Sequence, residues 1–103
     1  MLISALTDKT MRALADPLRR RIVEFLASEQ LCTCHLVELM GARQTNVSNH
    51  LRLLREAGLV EAEPAGRYTY YRLRPEALAA VGDTLANLAA RARVAEGVRR
   101  SCS

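Results

Sequence analysis

Aromatic residues are scarce in this sequence, which has no Trp, one Phe and three Tyr among 103 residues. Hydrophobic residues nevertheless make up 50% of the chain, so Leu and Ala supply most of the apolar side chains. Such a composition favours helices over a large sheet. A chain of this length forms one domain and buries a modest fraction of its surface, so a partner subunit would help to stabilise it.

Long apolar runs are also absent. No run approaches the roughly 18 residues of a membrane span, and Met1 to Ala5 lack the charged and hydrophobic regions of a signal peptide. We therefore expect a cytoplasmic protein with no membrane contact. In a reducing compartment Cys32, Cys34 and Cys102 are expected to be thiols rather than disulfides, and their odd number agrees.

The charge balance is mildly basic. Fifteen Lys and Arg against eleven Asp and Glu give a formal net charge of +4. This suits a polyanionic partner but is compatible with many other proteins.

The spacing of apolar residues predicts five helices. Asp16 before Pro17 is a capping signal, Thr33 is a possible N-cap and Gly41 is a natural terminator. The predicted helices run from Leu2 to Leu14, from Pro17 to about Ser28, over about 34–40, over 44–57, and from Pro75 to about Glu96.

A β-hairpin is predicted after the fourth helix. Leu59–Glu63 and Arg67–Leu73 flank Pro64-Ala65-Gly66, and the second segment is rich in Tyr. Two short helices joined by a four-residue turn and followed by a hairpin indicate a winged helix-turn-helix, an α+β fold that is mostly α. We expect this domain to span 1–96 and residues 97–103 to form a mobile tail that carries Cys102.

The predicted fourth helix carries the candidate DNA-reading residues. In a helix-turn-helix the second helix enters the major groove with its N-terminal residues on the bases. A solvated polar face is the alternative interpretation. The base-contact candidates are Gln44, Thr45 and Ser48, with Asn49 on the same face; the phosphate candidates are Arg43, His50 and Arg52; and Arg67 at the hairpin tip is a minor-groove candidate.

The last predicted helix carries a seam typical of a coiled coil. Its apolar residues are spaced 3, 4, 3 and 4 apart, which predicts a dimer interface. The seam consists of Leu78, Val81, Leu85, Leu88 and Ala92.

Four stretches resemble the ArsR/SmtB family of metal-responsive repressors. They are Ala13–Arg19, Asn46–Leu51, Gly66-Arg67 with Tyr70–Leu73, and Leu31-Cys32-Thr33-Cys34-His35-Leu36, which is similar to the family's cysteine box. The resemblance implies a homodimer, formed through the first and last helices, that binds an inverted repeat in double-stranded operator DNA. It also implies release of that DNA when the thiolates capture As(III) or Sb(III).

The sequence departs from the family in two places. Arsenical members often carry a third cysteine three residues after the second, and here that position is Val37. Any third thiolate would therefore come from Cys102. The zinc-sensing branch uses histidines of the last helix, and no histidine occurs after Pro75, so a zinc site of that kind is not expected.

The chemistry of the cysteine pair leaves several functions open. Thiolates favour soft ions, which admits Cd(II) and Pb(II) beside As(III) and Sb(III). Cys32 and Cys34 lie about 200° apart on a regular helix, so shared ligation predicts a non-helical start to the third helix. The alternatives are a redox sensor with Cys102 as resolving thiol, or small buried side chains. An enzyme is disfavoured because Cys34 and His35 are adjacent and point in different directions.

Overall fold

The computed structural model describes residues 5–102, which form five helices and three strands. They are α1 (Ala5–Leu14), α2 (Pro17–Leu26), β1 (Leu31–Cys32), α3 (Thr33–Met40), α4 (Gln44–Glu56), β2 (Val60–Ala65), β3 (Tyr68–Leu73) and α5 (Pro75–Val94). The predicted α+β winged helix-turn-helix is confirmed. Leu2, placed by the sequence on the first helix, lies outside the described residues. Between residues 5 and 102 no helix combines the length and apolarity needed to cross a membrane.

One apolar core joins α2, α3 and α4 to the start of β2. Its fully buried apolar side chains lie at helical spacing on α2, α3 and α4, with one more just before β2. They are Ile22, Leu36, Val47, Leu51, Leu54 and Leu59. Because this core fixes α3 against α4, the polar face of α4 is presented outward as a unit.

Asp16 caps the start of α2. Its Oδ1 accepts the backbone N–H of Leu18 at 2.8 Å and that of Arg19 at 3.1 Å, and Pro17 occupies the first turn. The Arg19 N–H bond is the main cause of a lowered pKa for the Asp16 carboxyl group. The charged carboxylate therefore stabilises the helix end, as the sequence predicted.

Replacing Asp16 by Ala is expected to lower the free energy of unfolding by about 1 kcal/mol at neutral pH, because two N–H groups lose their acceptor. Because the folded pKa lies below the unfolded one, the carboxylate's contribution is complete above about pH 4 and is lost as the pH falls through the folded pKa. Asp16→Asn keeps a capping oxygen without the charge. Urea unfolding of wild type and the two variants at pH 7 and pH 3 measures these free energies. If wild type and Asp16→Ala lost the same free energy of unfolding between pH 7 and pH 3, the carboxylate would not act as the cap.

The start of α3 differs from the sequence prediction. Cys32, not Thr33, is the N-cap, with extended backbone at φ −88° and ψ 168°. The reason is that Leu31 and Cys32 form a short strand, β1, that pairs with β3. Gly41 ends α3 as predicted, in the left-handed conformation at φ 62° that glycine adopts most readily.

The sheet has three antiparallel strands in the order β1-β3-β2. The hairpin β2–β3 is the predicted wing, with Glu61 opposite Arg72 and Ala65 opposite Tyr68. The pairing of β3 with β1 was not predicted, because the two residues of β1 are too few to show an alternating pattern. In that pairing Cys32 lies opposite Tyr70, which joins the cysteine segment directly to the wing.

Helix α5 leaves the core after its first two turns. Val81 is buried and Leu78 packs against the core, whereas Leu85 and Leu88 are 54% and 47% exposed. The molecule measures 65 × 23 × 22 Å. The predicted seam is therefore covered in its first half and open in its second.

Candidate functional site

Helix α4 presents a continuous polar face. Its buried stripe is Val47, Leu51 and Leu54, and the side chains on the other side are exposed. A shallow groove on this face is lined by Arg43, Thr45, Asn46, Ser48, Asn49 and Arg52. The structure thus brings most of the predicted DNA-contact residues together and adds Asn46, which in the sequence is only one position of the stretch that resembles the family's recognition helix.

Arg52 is tied to its own helix. Its guanidinium donates to Asn49 Oδ1 at 2.7 Å and to Glu56 Oε2 at 3.0 Å. Both partners are one turn away on the exposed surface, where such pairs contribute little to stability. The arrangement holds the guanidinium along the polar face, from which a phosphate could replace Glu56.

His50 is half-buried between α4 and α2. Its Nδ1 lies 3.4 Å from an Nη1 of Arg19, whose Nε donates to the Ala13 carbonyl at 2.8 Å. His50, predicted to contact a phosphate, therefore lies in a contact between α2 and α4. Arg43 and Arg52 remain exposed.

The wing projects an exposed cation at its tip. Gly66 forms the turn with φ 64°, a conformation that favours glycine, and the adjacent Arg67 is exposed. At the base of the wing, in contrast, Arg72 pairs with Glu61 at 2.6 Å. No ion pair of Arg67 occurs within residues 5–102. The exposed guanidinium stands at the tip of the hairpin, where the sequence predicted it.

Cys32 and Cys34 lie where β1 passes into α3. Cys32 is buried, Cys34 is exposed, and their Cα atoms are 5.4 Å apart. The structure joins the two sulfurs in a disulfide, so the expectation that both are thiols is wrong for this form of the chain. The cause is the extended backbone of Cys32, which turns both side chains to the same side, at a separation typical of disulfides.

The same geometry meets the requirement that the sequence set for shared ligation. Cys32 stands outside the helix and Cys34 inside its first turn. Both sulfurs therefore face one point without any unwinding of α3. Once reduced, they form a compact pair of soft donors.

His35 is drawn into this cluster. The Cys32 backbone N–H donates to His35 Nδ1 at 3.1 Å, and the His35 ring lies 5.9 Å from the Tyr70 ring at 57°. The potential ligand atoms of Cys32, Cys34 and His35 all lie within 4.8 Å of one another. From the sequence, His35 is a possible fourth donor, but an exposed helical histidine is the expected outcome. The structure instead half-buries His35 three residues after the N-cap, where a side chain folds back in a capping box.

Cys102 lies apart from these residues. It is exposed, unpaired and absent from the three-residue cluster. The chain from Glu96 to Cys102 is exposed and contains no helix or strand. The predicted three-cysteine site is thus represented by two cysteines and a histidine.

Together the helix pair, the exposed polar face of α4 and the wing define a winged helix-turn-helix protein of the DNA-binding class. Residues 16–62 match the family model described as "Bacterial regulatory protein, arsR family". The chain belongs to the arsR family, whose members are transcriptional regulators rather than enzymes.

Individual relatives agree with this assignment. The chain is 41% identical over 66 residues to the arsenic resistance transcriptional regulator ArsR1 of Pseudomonas putida, covering 63% of this chain and 52% of that protein. It therefore spans about half the length of that relative. A solved structure titled as a possible transcriptional regulator for arsenical resistance superimposes with a TM-score of 0.72 at 33% identity, covering 90% of this chain and 98% of the other.

A second solved structure bears on assembly. It is the homodimeric winged helix-turn-helix domain of Mb0332 from Mycobacterium bovis, titled a possible ArsR-family regulator. The TM-score is 0.69 at 25% identity, and the match covers 93% of this chain and 88% of the other.

Proposed function

We propose that this chain is a dimeric repressor that releases its operator when reduced Cys32 and Cys34 capture a thiolate-seeking ion. The observation that carries the proposal is the position of the two sulfurs, which lie together between the wing sheet and the first helix of the helix-turn-helix. The donor set fits the ion, because paired thiolates are the ligands that soft metals prefer.

Capture requires the dithiol form. The disulfide takes up two electrons and two protons from a thiol reductant, and the two thiols then lose their protons as the ion binds. We propose As(III) and Sb(III) as the principal inducers, in line with the relative named for arsenic resistance. Cys102, exposed and unpaired, is the proposed third thiolate for these trivalent ions, from the same subunit or its partner.

The cysteine site touches both DNA-facing elements. Cys32 pairs with Tyr70 of the wing strand β3, and α3 packs on α4. A shift of Cys32 on ion binding therefore acts on the wing and on the recognition helix together. Because the two forms would differ in affinity for DNA, the ion and the operator oppose each other by linkage.

The proposed DNA contacts follow from the exposed side chains. Gln44, Thr45 and Ser48 would read base edges at the start of α4, with Asn49 beside them. Arg43 and Arg52 would hold phosphates, and His50 would reach a phosphate only on leaving Arg19. The proposed dimer forms through α1 and α5, which places two recognition helices on an inverted repeat.

The proposal is tested by fluorescence anisotropy with an operator selected from a random duplex library. Reduced protein on the duplex is titrated with arsenite, antimonite, Cd(II), Pb(II) and Zn(II). We expect arsenite to lower operator affinity by about 5- to 150-fold, the usual range of allosteric coupling. Operator binding that no ion changes would refute the sensor and leave the DNA-binding protein.

Replacing Arg67 by Ala is expected to weaken operator binding by several-fold and to lower the salt slope by about one counterion, because one guanidinium–phosphate or minor-groove contact is lost. The measurement is operator affinity between low and high salt. Arg72→Ala is the matched control, since Arg72 lies in the adjoining strand β3 but pairs with Glu61. Equal salt slopes for wild type and the Arg67 variant would place the wing tip away from DNA.

A redox sensor is the second candidate, favoured by the disulfide itself. Two thiols and one hydrogen peroxide would give the Cys32–Cys34 disulfide and two water molecules. Because Cys34 is the partner of Cys32, Cys102 is not needed as resolving thiol. Release of the operator by peroxide but not by arsenite would favour this function.

A further inference from the structure

The proposed function leaves open which group completes the site for a divalent ion. Two sulfurs do not fill the coordination shell of such an ion, which commonly takes four ligands. Val37 occupies the position of a third cysteine in the resemblance, and its side chain packs against the core. Within residues 5–102, the group of metal-ligating side chains that come together is Cys32, Cys34 and His35.

His35 reaches the sulfurs because its ring folds back over the start of α3. Adjacent helical residues point about 100° apart, so the sequence alone separates His35 from Cys34. The Cys32 N–H bond to Nδ1 draws the ring toward the N-cap, and the Tyr70 ring lies 5.9 Å from it at a tilt of 57°. The ring is half-buried and held by two contacts, rather than free in solvent.

The hydrogen bond also fixes which ring nitrogen is available. A nitrogen that accepts a hydrogen bond carries its lone pair, so the neutral ring bears its proton on Nε2. Nδ1 thus has the electronic form of a metal ligand and lies 3.1 Å from the backbone nitrogen of Cys32, in the residue group whose potential ligand atoms all lie within 4.8 Å of one another. It can serve either the Cys32 N–H or an ion, but not both.

We propose that His35 Nδ1 is the third protein donor for divalent ions such as Cd(II) and Zn(II), and that As(III) binds without it. Two thiolates and an imidazole are a common set for these divalent ions. Trivalent arsenic instead prefers a third sulfur. His35 therefore supplies the ligand that lets the thiolate pair bind divalent ions. This inference rests on the proposed role of Cys32 and Cys34.

Binding of an ion by Nδ1 would change the start of α3. The Cys32 N–H would lose its acceptor, and Cys32 is also the residue that pairs with Tyr70 of β3. Divalent ions would then disturb the junction of β1 and α3 more than arsenite does. The two classes of inducer are expected to share the thiolates and differ in their dependence on His35.

The test is direct metal binding to the reduced protein without DNA. Co(II) serves as the optical probe through its sulfur-to-metal absorption and visible bands, and Cd(II) affinity is measured by competition. His35→Gln is the variant of choice, since a Gln oxygen can still accept the Cys32 N–H. We expect at least a tenfold loss of Cd(II) affinity, no less than the loss of an outer-shell partner costs, and arsenite binding within about twofold of wild type.

Two further results decide the matter. Cys102→Ser is expected to leave Cd(II) affinity unchanged, and a large loss there with none in His35→Gln would overturn the inference. In wild type loaded with ¹¹³Cd, nitrogen NMR is expected to show coupling to His35 Nδ1, a readout that needs no variant. Absence of that coupling would also overturn it.

The outcomes separate this inference from the proposed function. If divalent ions bind through His35 and neither they nor arsenite release the operator, the sensor is refuted but the donor assignment stands. If ions release the operator and His35→Gln does not change their binding, the sensor stands and the donor assignment is refuted. Arsenite binding that falls as much as Cd(II) binding in His35→Gln would refute the distinction between the two ion classes.

Discussion

Replacing Cys34 by Ser is expected to leave operator affinity intact and to abolish release by arsenite and by Cd(II). Cys34 is exposed in the first turn of α3, so a hydroxyl fits there without disturbing the core. The substitution removes one of the two sulfurs that face each other, and serine is a poor ligand for soft ions. The ratio of operator affinities without and with ion should fall from about 5- to 150-fold to about one.

Anisotropy titrations of the reduced variant with operator measure this ratio. Thr33→Ser is the matched control, because Thr33 lies between the cysteines and its replacement keeps both thiols. The same substitution at Cys32 is less informative, since Cys32 is 3% exposed and its loss could alter the core. A Cys34→Ser protein that still releases DNA on arsenite would move the ion site elsewhere in the chain.

Much of this architecture could be predicted from local signals. Asp16 before Pro17 marks the start of α2, and Gly41 and Gly58 follow α3 and α4 as helix terminators. The stripe of Val47, Leu51 and Leu54 showed which face of α4 is buried. These features depend on residues close in sequence, which is why periodicity and capping rules find them.

The arrangement around the cysteines could not be predicted in the same way. The pairing of Cys32 with Tyr70 joins residues 38 positions apart and gives Cys32 its extended backbone. That backbone turns the Cys32 and Cys34 sulfurs together and makes Cys32 the N-cap that holds His35. A two-residue strand has no pattern of its own, so the position of His35, the proposed third donor, depends on a tertiary contact.

A charge placed on the exposed part of α5 is expected to have the other large effect. Replacing Leu88 by Glu should convert the proposed dimer to a monomer and weaken operator binding by about 100-fold or more, because only one half-site is then held. The reason lies in the seam. Leu78 and Val81 meet the core, whereas Leu85 and Leu88 continue the same stripe into solvent, and exposed Leu residues in line mark an interface.

Sedimentation analysis gives the mass of the variant in solution, and anisotropy with the inverted-repeat operator and with a single half-site gives its affinity. Asn87→Glu adds the same charge one residue away, about 100° around α5 from Leu88 and outside the seam, and should remain dimeric. The Leu88 variant is expected to keep its helical circular dichroism, since Leu88 is 47% exposed and lies outside the core. Its affinity for the half-site should match that of wild type. A Leu88→Glu protein that stays dimeric would exclude this stretch of α5 from the interface and leave α1 as the surface to test.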